Sequence, residues 1–343
     1  MKHLLLISLC ILALSGCEKA SNQVHVRQIT SFGTTVEVTL SAVSASDADQ
    51  ALDIIEQELN YMHEQWHAWR PSSITRLNKQ LQSGQPFSVD EQLLPLLNQS
   101  KELYSKSLTY FNPAIGKLIE LWGFYQDNPQ ITASLPPETM INQLVLSNPN
   151  MDHIVISDYQ VRGTNSDIQL DFGGYAKGYG VQQLIEQLHA QGISNAMVNA
   201  GGDIKVIGKR QERNWRVAID DPYQEQPLGW LYMESGESIF SSGDYRRFFE
   251  VDGKRYHHII DPNTGYPTEQ ARAATVIAHD PAVADAAATA LMVAPQSDWL
   301  RIMQNMGLKH ILIVTNDGTL HCDQGFAERL TLFSAKKPHI IDE

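Results

Sequence analysis

From Val24 to Leu40 the chain reads VHVRQITSFGTTVEVTL, with apolar and polar residues alternating on either side of Gly33. Successive side chains of a strand point to opposite faces, so this period predicts two half-buried strands joined as a hairpin. The period then lengthens. In SASDADQALDIIEQELNYMHEQWHAW, Ala51, Ile54, Ile55, Leu59 and Met62 recur at helical spacing behind Ser and Asp residues able to cap, and the run ends before Pro71. An amphipathic helix is expected there. Helical stretches follow in VDEQLLPLLNQSKELYSKS and NPAIGKLIELWGF; the segment from Asn128 to Asn150, rich in Pro and Asn, reads as a surface excursion and a candidate boundary.

From Ile154 the character changes. IVIS, QVRG, IQLDF, NAMVNAGGDIKVIG, WRVAID, GWLYM, SIFSSGDYRRFFEV, KRYHHIID, AATVIA and HILIVT are strand-like runs separated by turns, interrupted by two helical segments, YAKGYGVQQLIEQLHAQG and PAVADAAATALMVAP. No fixed-period repeat or low-complexity tract is present. The pattern predicts an α+β body, helix-richer to about residue 150 and strand-rich beyond it.

The N-terminal pattern is of another kind. MKHLLLISLCILALSGCEKA has a positive start at Lys2, an apolar run from Leu4 to Leu14, and small residues before Cys17. It reads as a secretory signal peptide, too short to span a bilayer, which takes about 20 apolar residues. Ser15-Gly16-Cys17 matches a bacterial lipobox, so residues 1–16 are expected to be removed, Cys17 lipidated, and residues 17–23 left as a polar tether. Of the three cysteines, Cys10, Cys17 and Cys322, only Cys322 then remains as a thiol, and no intramolecular disulfide can form. Stability must come from a core, and a hydrophobic content of 43% supplies one.

A formal charge of −13, with Lys and Arg scattered, argues against a nucleic-acid partner. Chemistry is suggested by five short stretches. DFGGYAKGYG, Asp171 to Gly180, places a carboxylate, four glycines and one lysine where a strand-like run meets a helix, an arrangement able to offer backbone N–H groups to a phosphate, although it is neither G-x-G-x-x-G nor a Walker A loop. Gly178 and Gly180 fall inside the helix, where each costs up to ~1 kcal/mol against Ala, which implies that something approaches the backbone closely. NAGGD, ending at Asp203, reads by itself as a hairpin with a turn aspartate. SSGDYRR, Ser241 to Arg247, is a third glycine-flanked polar turn. In RYHHIIDPNTGYP, His257 and His258 point to opposite faces of a strand, so at most one faces a site. In PAVADAAATALMV, Asp285 and Thr289 share one helix face, a pair of hard oxygens suited to Mg²⁺; a carboxylate answering a helix dipole and a hydroxyl bonding back into its helix fit the same residues.

In this order, and behind a lipobox, DFGGYAKGYG, NAGGD, SSGDYRR, HHIIDPNTGYP and DAAATALMV resemble the ApbE family of periplasmic flavin transferases, over the chain from about Val24 onward. The resemblance implies a two-lobed, T-fold-related α+β architecture of antiparallel sheets flanked by helices, in one domain over 24–343. It implies an enzyme that uses Mg²⁺ to split the pyrophosphate of FAD and transfers FMN through a phosphoester bond to a Thr or Ser hydroxyl of an acceptor flavoprotein, with AMP leaving. Acceptors would be subunits of membrane redox complexes. The chain would sit in the bacterial cell envelope, lipid-anchored and facing the periplasm, with the inner membrane favoured.

Carried over residue by residue, the resemblance makes Asp171 and Lys177 FAD contacts and gives Mg²⁺ the Gly174 carbonyl, Asp285 and Thr289, Asp285 being catalytic through the metal. His258 is the catalytic candidate for proton transfer or phosphate contact, and Ile259 packs on the flavin. Phe32 and Trp69 would flank the flavin or adenine rings, at positions where the family usually carries Met and Tyr. Tyr110, Phe111 and Asn112 form a further cofactor segment, with Asn112 where Asp is common. With water as acceptor the same site would be an FAD pyrophosphatase, and without turnover a flavin-binding lipoprotein; the residues alone leave these alternatives open.

Overall fold

The computed structural model describes residues 23–126 and 134–341, so the segment expected to be a signal peptide and Cys17, expected to be lipidated, lie outside the described residues. Among the described residues, nine strands build the main sheet: β1 (Val24–Ser31), β2 (Thr34–Ser41), β3 (Ala196–Ala200), β4 (Asp203–Ile207), β5 (Ser238–Gly243), β6 (Ala273–Ala278), β7 (His310–Val314), β8 (Leu320–Cys322) and β9 (His339–Ile340). Their order across the sheet is their order along the chain. Every neighbouring pair is antiparallel except β8 and β9. The fold is therefore α+β, a long meander into which the helices and smaller sheets are inserted.

The first hairpin forms as its period predicts, turning on Phe32 (φ 51°) and Gly33 (φ 71°), the two positive φ values that a tight turn matching strand twist requires. Helix α1 (Ala45–Gln65) begins at Ser44, whose side chain accepts from the Asp47 N–H, and buries Ala51, Leu52, Ile55, Leu59 and Met62. It is followed by α2 (Ser73–Gln82), closed by a capping box at Ser72 and Thr75, and by α3 (Leu94–Lys106) and α4 (Gly116–Leu121).

Three expectations need correction. The segment read as a surface excursion contains α5 (Glu138–Ser147), which buries Ile141 and ends at Asn148 in the left-handed conformation before Pro149. The run IQLDF makes no ladder of its own. It forms one parallel bridge, Ile115 to Gln169, while the N–H of Asp171 bonds to the Pro113 carbonyl and that of Leu170 to the Asn78 side chain. Finally, SIFSSGDYRRFFEV is two strands, β5 and Phe248–Val251, parted by the turn that carries Arg246 and Arg247.

Two helices lie centrally against one sheet face. Helix α6 (Ala176–Ala190) packs on α7 (Pro281–Val293), and α7 covers β5 and β6. Apolar on nearly every side, α7 behaves as a helix enclosed by protein. The core on this face runs from Ile29 through Leu59, Val181 and Leu291 to Ile313, drawing on both the helix-richer and strand-rich parts of the chain. The opposite face is covered by a smaller sheet of Trp215–Ile219, Gly229–Met233 and Thr331–Leu332, with Trp215, Leu231 and Met233 packed over Val206, Ile239 and Leu312. Two short helices, α8 (Trp299–Met306) and α9 (Gln324–Arg329), flank β7 and β8 in sequence. Cys322 is buried, and burial pushes its thiol up to about 12. Among the described residues no helix is long and apolar enough to cross a membrane.

Candidate active site

The site grows from an incomplete helix end. Tyr175, at the N-terminal boundary of α6, offers no side-chain cap, so the first backbone N–H groups of the helix need outside partners. One comes from α7: the Gly178 N–H donates to Asp285 Oδ2 at 2.9 Å. Asp285 does answer a helix dipole, but that of the neighbouring helix; Asp280 caps α7 itself by accepting from the Ala282 N–H at 2.8 Å. The crossing is close because Gly178 has no side chain. A Cβ there would lie 2.1 Å from the Pro281 carbonyl oxygen, and one on Gly180 would crowd the Phe32 ring at 3.1 Å. The neighbours of these two glycines are therefore protein, not nucleotide.

Asp285 Oδ1 faces the Lys177 ammonium at 3.2 Å, and the same ammonium lies 2.8 Å from Asp203 Oδ2. Asp203 Oδ1 accepts from the Ser241 N–H of β5 at 3.0 Å. The residue read as a turn aspartate is thus inside the site, brought there by strand pairing. Its only local signal is the Gly201-Gly202 pair before it, with φ of 67° and 99°. Burial pushes the Asp285 carboxyl above the usual range, with Asp203 adding to the shift and Lys177 opposing it. For Lys177 burial acts downward, but the two carboxylates outweigh it and hold its pKa above the ordinary value. Two carboxylates face one ammonium, leaving a surplus of negative charge in a largely enclosed place.

Thr289 stands one turn beyond Asp285. Its Oγ1 is 3.4 Å from the Asp285 carbonyl oxygen, the back-bond its helix position allows, and 3.3 Å from Ser242 Oγ. A Cβ on Gly174 would come 3.2 Å from this hydroxyl and 3.6 Å from Phe111 Cε2, so Gly174 brings bare backbone against Thr289. The structure thus brings the Gly174 backbone to Thr289, and Thr289 lies one turn from Asp285 on α7. A backbone carbonyl, a hydroxyl and a carboxylate are hard-oxygen donors of the kind that suits a Mg²⁺ keeping waters and sharing substrate oxygens. Among the described residues no three His, Cys, Asp or Glu side chains form a metal cage of their own.

The two histidines divide as strand geometry requires. His257 is buried; its Nε2 meets the Thr268 carbonyl at 2.8 Å and its Nδ1 accepts from the Ile259 N–H at 3.3 Å. His258 turns the other way, against Phe124 and within the field of Lys177. Its Nδ1 lies 3.1 Å from the Arg247 carbonyl, which only accepts, so Nδ1 carries the proton and Nε2 is left as a bare acceptor. Burial, reinforced by His257 and Arg247, lowers its pKa to about 3, so the ring is neutral near pH 7.

Asp171 accepts from the Gly173 N–H at 2.8 Å. Burial raises its pKa, while Gly173, the Arg247 charge and a hydrogen bond from Trp69 pull the other way. Trp69 and Tyr125 stand with ring centroids 5.8 Å apart, which gathers Trp69, Asp171 and Arg247 at one side of the site. Phe32 stacks near Trp66 with centroids 6.3 Å apart and donates its N–H to His63 Nδ1 at 3.3 Å. Three remaining candidates are held by protein contacts. The Tyr110 hydroxyl donates to Asp298 Oδ2 at 2.7 Å, Asn112 bridges the Pro149 carbonyl and the Ala114 N–H, each at 3.0 Å, and Ile259 is only 5% exposed.

The ApbE family model matches residues 32–312. The chain is 38% identical over 299 residues to an FAD:protein FMN transferase of Rhodobacter capsulatus, covering 87% of this chain and 57% of that relative's length. It is 31% identical over 324 residues to an FAD:protein FMN transferase of Vibrio cholerae, covering 93% of this chain and 96% of the other. Among solved structures, the ApbE protein of Thermotoga maritima aligns with TM-score 0.82 and 28% identity over 90% of this chain and 100% of that one. The ordered motifs, the nine-stranded meander and these matches agree, and the chain belongs to the ApbE family.

Proposed function

We propose that this protein transfers FMN from FAD to a Thr or Ser hydroxyl of an acceptor flavoprotein, with AMP as the leaving group. The observation that carries this reading is the pairing of Asp285 with the Lys177 ammonium at 3.2 Å, on the helix that also sets Thr289 against the Gly174 backbone, beside a neutral His258. The names of the relatives, FAD:protein FMN transferase, support the same reading.

In this scheme the acceptor oxygen attacks the FMN-side phosphorus of the FAD pyrophosphate and forms the new phosphoester bond. The bond from that phosphorus to the bridging oxygen breaks, and the pair of electrons leaves on AMP. His258, with its Nδ1 proton tied to the Arg247 carbonyl, presents Nε2 to take the proton of the attacking hydroxyl. Phosphoryl transfer asks the protein for positioning and charge neutralisation more than covalent chemistry. Asp285, Thr289 and the Gly174 carbonyl would hold Mg²⁺, which when bound neutralises pyrophosphate charge. Lys177 adds a cation at the same place, and Trp69, Asp171 and Arg247 supply aromatic and polar contacts for the nucleotide. The reading includes an acceptor subunit of a membrane redox complex and a lipid anchor on Cys17 facing the periplasm.

The test is to incubate the soluble protein with FAD, Mg²⁺ and a candidate acceptor, and to follow in-gel flavin fluorescence, the FMN mass increment and AMP. Labelled acceptor with equimolar AMP is expected. AMP without any labelled protein would make the enzyme a pyrophosphatase, and FAD bound without turnover would make it a carrier.

A further inference from the structure

The Lys177 ammonium occupies a position that a metal on Asp285 would contest. Asp285 has two oxygens, and both are engaged: Oδ2 by the Gly178 N–H at 2.9 Å, Oδ1 by Lys177 at 3.2 Å. A cation that takes Asp285 Oδ1 must displace the ammonium or share the oxygen with it. The same ammonium has a second carboxylate at the shorter distance of 2.8 Å, and that carboxylate, Asp203, is buried with its other oxygen held by the Ser241 N–H at 3.0 Å. Asp203 cannot swing away from β5 without losing this bond, so it is a stationary seat. Lys177, on a long flexible stem with its side chain 24% exposed, is the member of the trio able to move.

We infer that Asp203 is a positioning residue: it retains the Lys177 ammonium when a divalent cation takes Asp285, so that one buried carboxylate is cleared for the metal while the lysine stays beside it. In the cation-free state one ammonium answers two carboxylates, and with a divalent ion added each carboxylate keeps a positive neighbour. Without Asp203 the ammonium would have Asp285 as its only counter-charge and would compete for it. The glycines before Asp203 also serve this arrangement. A Cβ on Gly202 would come 2.9 Å from Arg246 Nη2, and Arg246 donates to the Gly201 carbonyl at 2.6 Å, so the turn that delivers Asp203 to Lys177 is held by a guanidinium packed against bare backbone.

The proposal rests on the metal reading above, and its test separates the two by measuring cation binding without turnover. The probe is Mn²⁺, which binds the hard oxygen donors that suit Mg²⁺ and whose free ion is counted by electron paramagnetic resonance. Asp203→Asn is expected to weaken Mn²⁺ binding about tenfold or more, the size of effect typical of a group that orients a metal ligand. Lys177→Met alone is expected to tighten it several-fold, because the competing cation is gone. In the Lys177→Met background, Asp203→Asn should change affinity by less than about threefold, because a residue acting through Lys177 has nothing left to act on. Equal losses in both backgrounds would mean that Asp203 attracts the ion directly, and would overturn the positioning role. If Asp203→Asn does not fold, the single Lys177→Met variant still decides, since unchanged or weaker Mn²⁺ binding contradicts competition. A wild-type chain that holds no Mn²⁺ overturns the metal reading, and this proposal with it.

Discussion

Two buried clusters of charge are built on the two ends of β5, and they are built in opposite ways. At one end, Ser241 and Ser242 touch the cluster of Lys177, Asp203, Asp285 and Thr289. At the other, Glu237 immediately precedes the strand and is fully buried, accepting from Lys309 Nζ at 2.7 Å, from Arg329 Nη1 at 2.9 Å and Nη2 at 2.6 Å, and from the Glu234 N–H at 2.8 Å. One carboxylate there meets two cations, with both oxygens saturated and the arginine held bidentate. The first cluster has two carboxylates for one ammonium.

The pKa values follow that difference. Burial acts upward on both carboxyls, but Arg329 and Lys309 overcome it at Glu237 and bring the value down to about 2, whereas Asp285 stays raised. A closed cluster of this kind holds the fold, while an open one stores unmet negative charge for a cation or a substrate to answer.

The largest expected effect is on turnover. Asp285→Ala should lower Mg²⁺-dependent FMN transfer by about 10³-fold, as for loss of a charge-stabilising group at a reacting centre. Stability should change by no more than about 1 kcal/mol, because the lost Gly178 N–H acceptor is offset by relief of repulsion with Asp203. Transfer rate and urea midpoint measured on the same preparation check both parts. A large loss of stability would mean that the open cluster is structural after all.

Glu237→Gln should show the reverse, a loss of about 3 kcal/mol with activity per folded molecule retained, because the largely buried Arg329 guanidinium loses its bidentate carboxylate, while the partly exposed Lys309 keeps Glu234 at 3.3 Å. The acid limb follows from the sign of the shift. A folded-state pKa of about 2 against an ordinary 4.5 makes Glu237 stabilising above about pH 4.5, and that contribution fades as pH falls through about 2. The wild type should therefore lose about 3 kcal/mol more than Glu237→Gln between pH 5 and pH 2, read from urea unfolding at stepped pH. Parallel pH curves for the two proteins would refute the assignment.

The clusters also differ in how far the sequence announced them. Elements with a clear local period were legible: the β1–β2 hairpin, α1, α6 and α7 all stand where alternation and helical spacing put them. Helix α5 was hidden by the Pro and Asn around it, although Ile141, Leu144 and Val145 keep helical spacing. Helical spacing puts Asp285 and Thr289 on one face, but a dipole partner and a back-bond fit that spacing equally, and only the family resemblance implies a metal role for them. Asp203 reads locally as a turn residue because its partner Lys177 and its donor Ser241 meet it only after β3, β4 and β5 pair. Glu237 carried no local sign at all, since Lys309 and Arg329 arrive from the far end of the chain. Glycine was readable as close approach but not as approach by what: at Gly178 the neighbour is α7, and at Gly180 it is Phe32.

The smallest expected effect tests whether the closed cluster is redundant. Lys309→Met removes one of the two cations on Glu237, but the lysine side chain is 28% exposed and Arg329 keeps both carboxylate oxygens occupied. A partly solvated ion pair beside a bidentate one is worth about 1 kcal/mol, so urea unfolding at pH 7 should register a loss of that size and transfer activity should be unchanged. The acid limb should also shift. Lys309 is one of the groups that lower the Glu237 pKa, so without it the carboxyl takes up its proton at a higher pH and stability begins to fall earlier on acidification. A loss as large as that of Glu237→Gln would show that the lysine, not the bidentate arginine, holds the carboxylate. Both ends of β5 would then depend on a single lysine shared with an aspartate or a glutamate, and the contrast between them would lie in charge count alone.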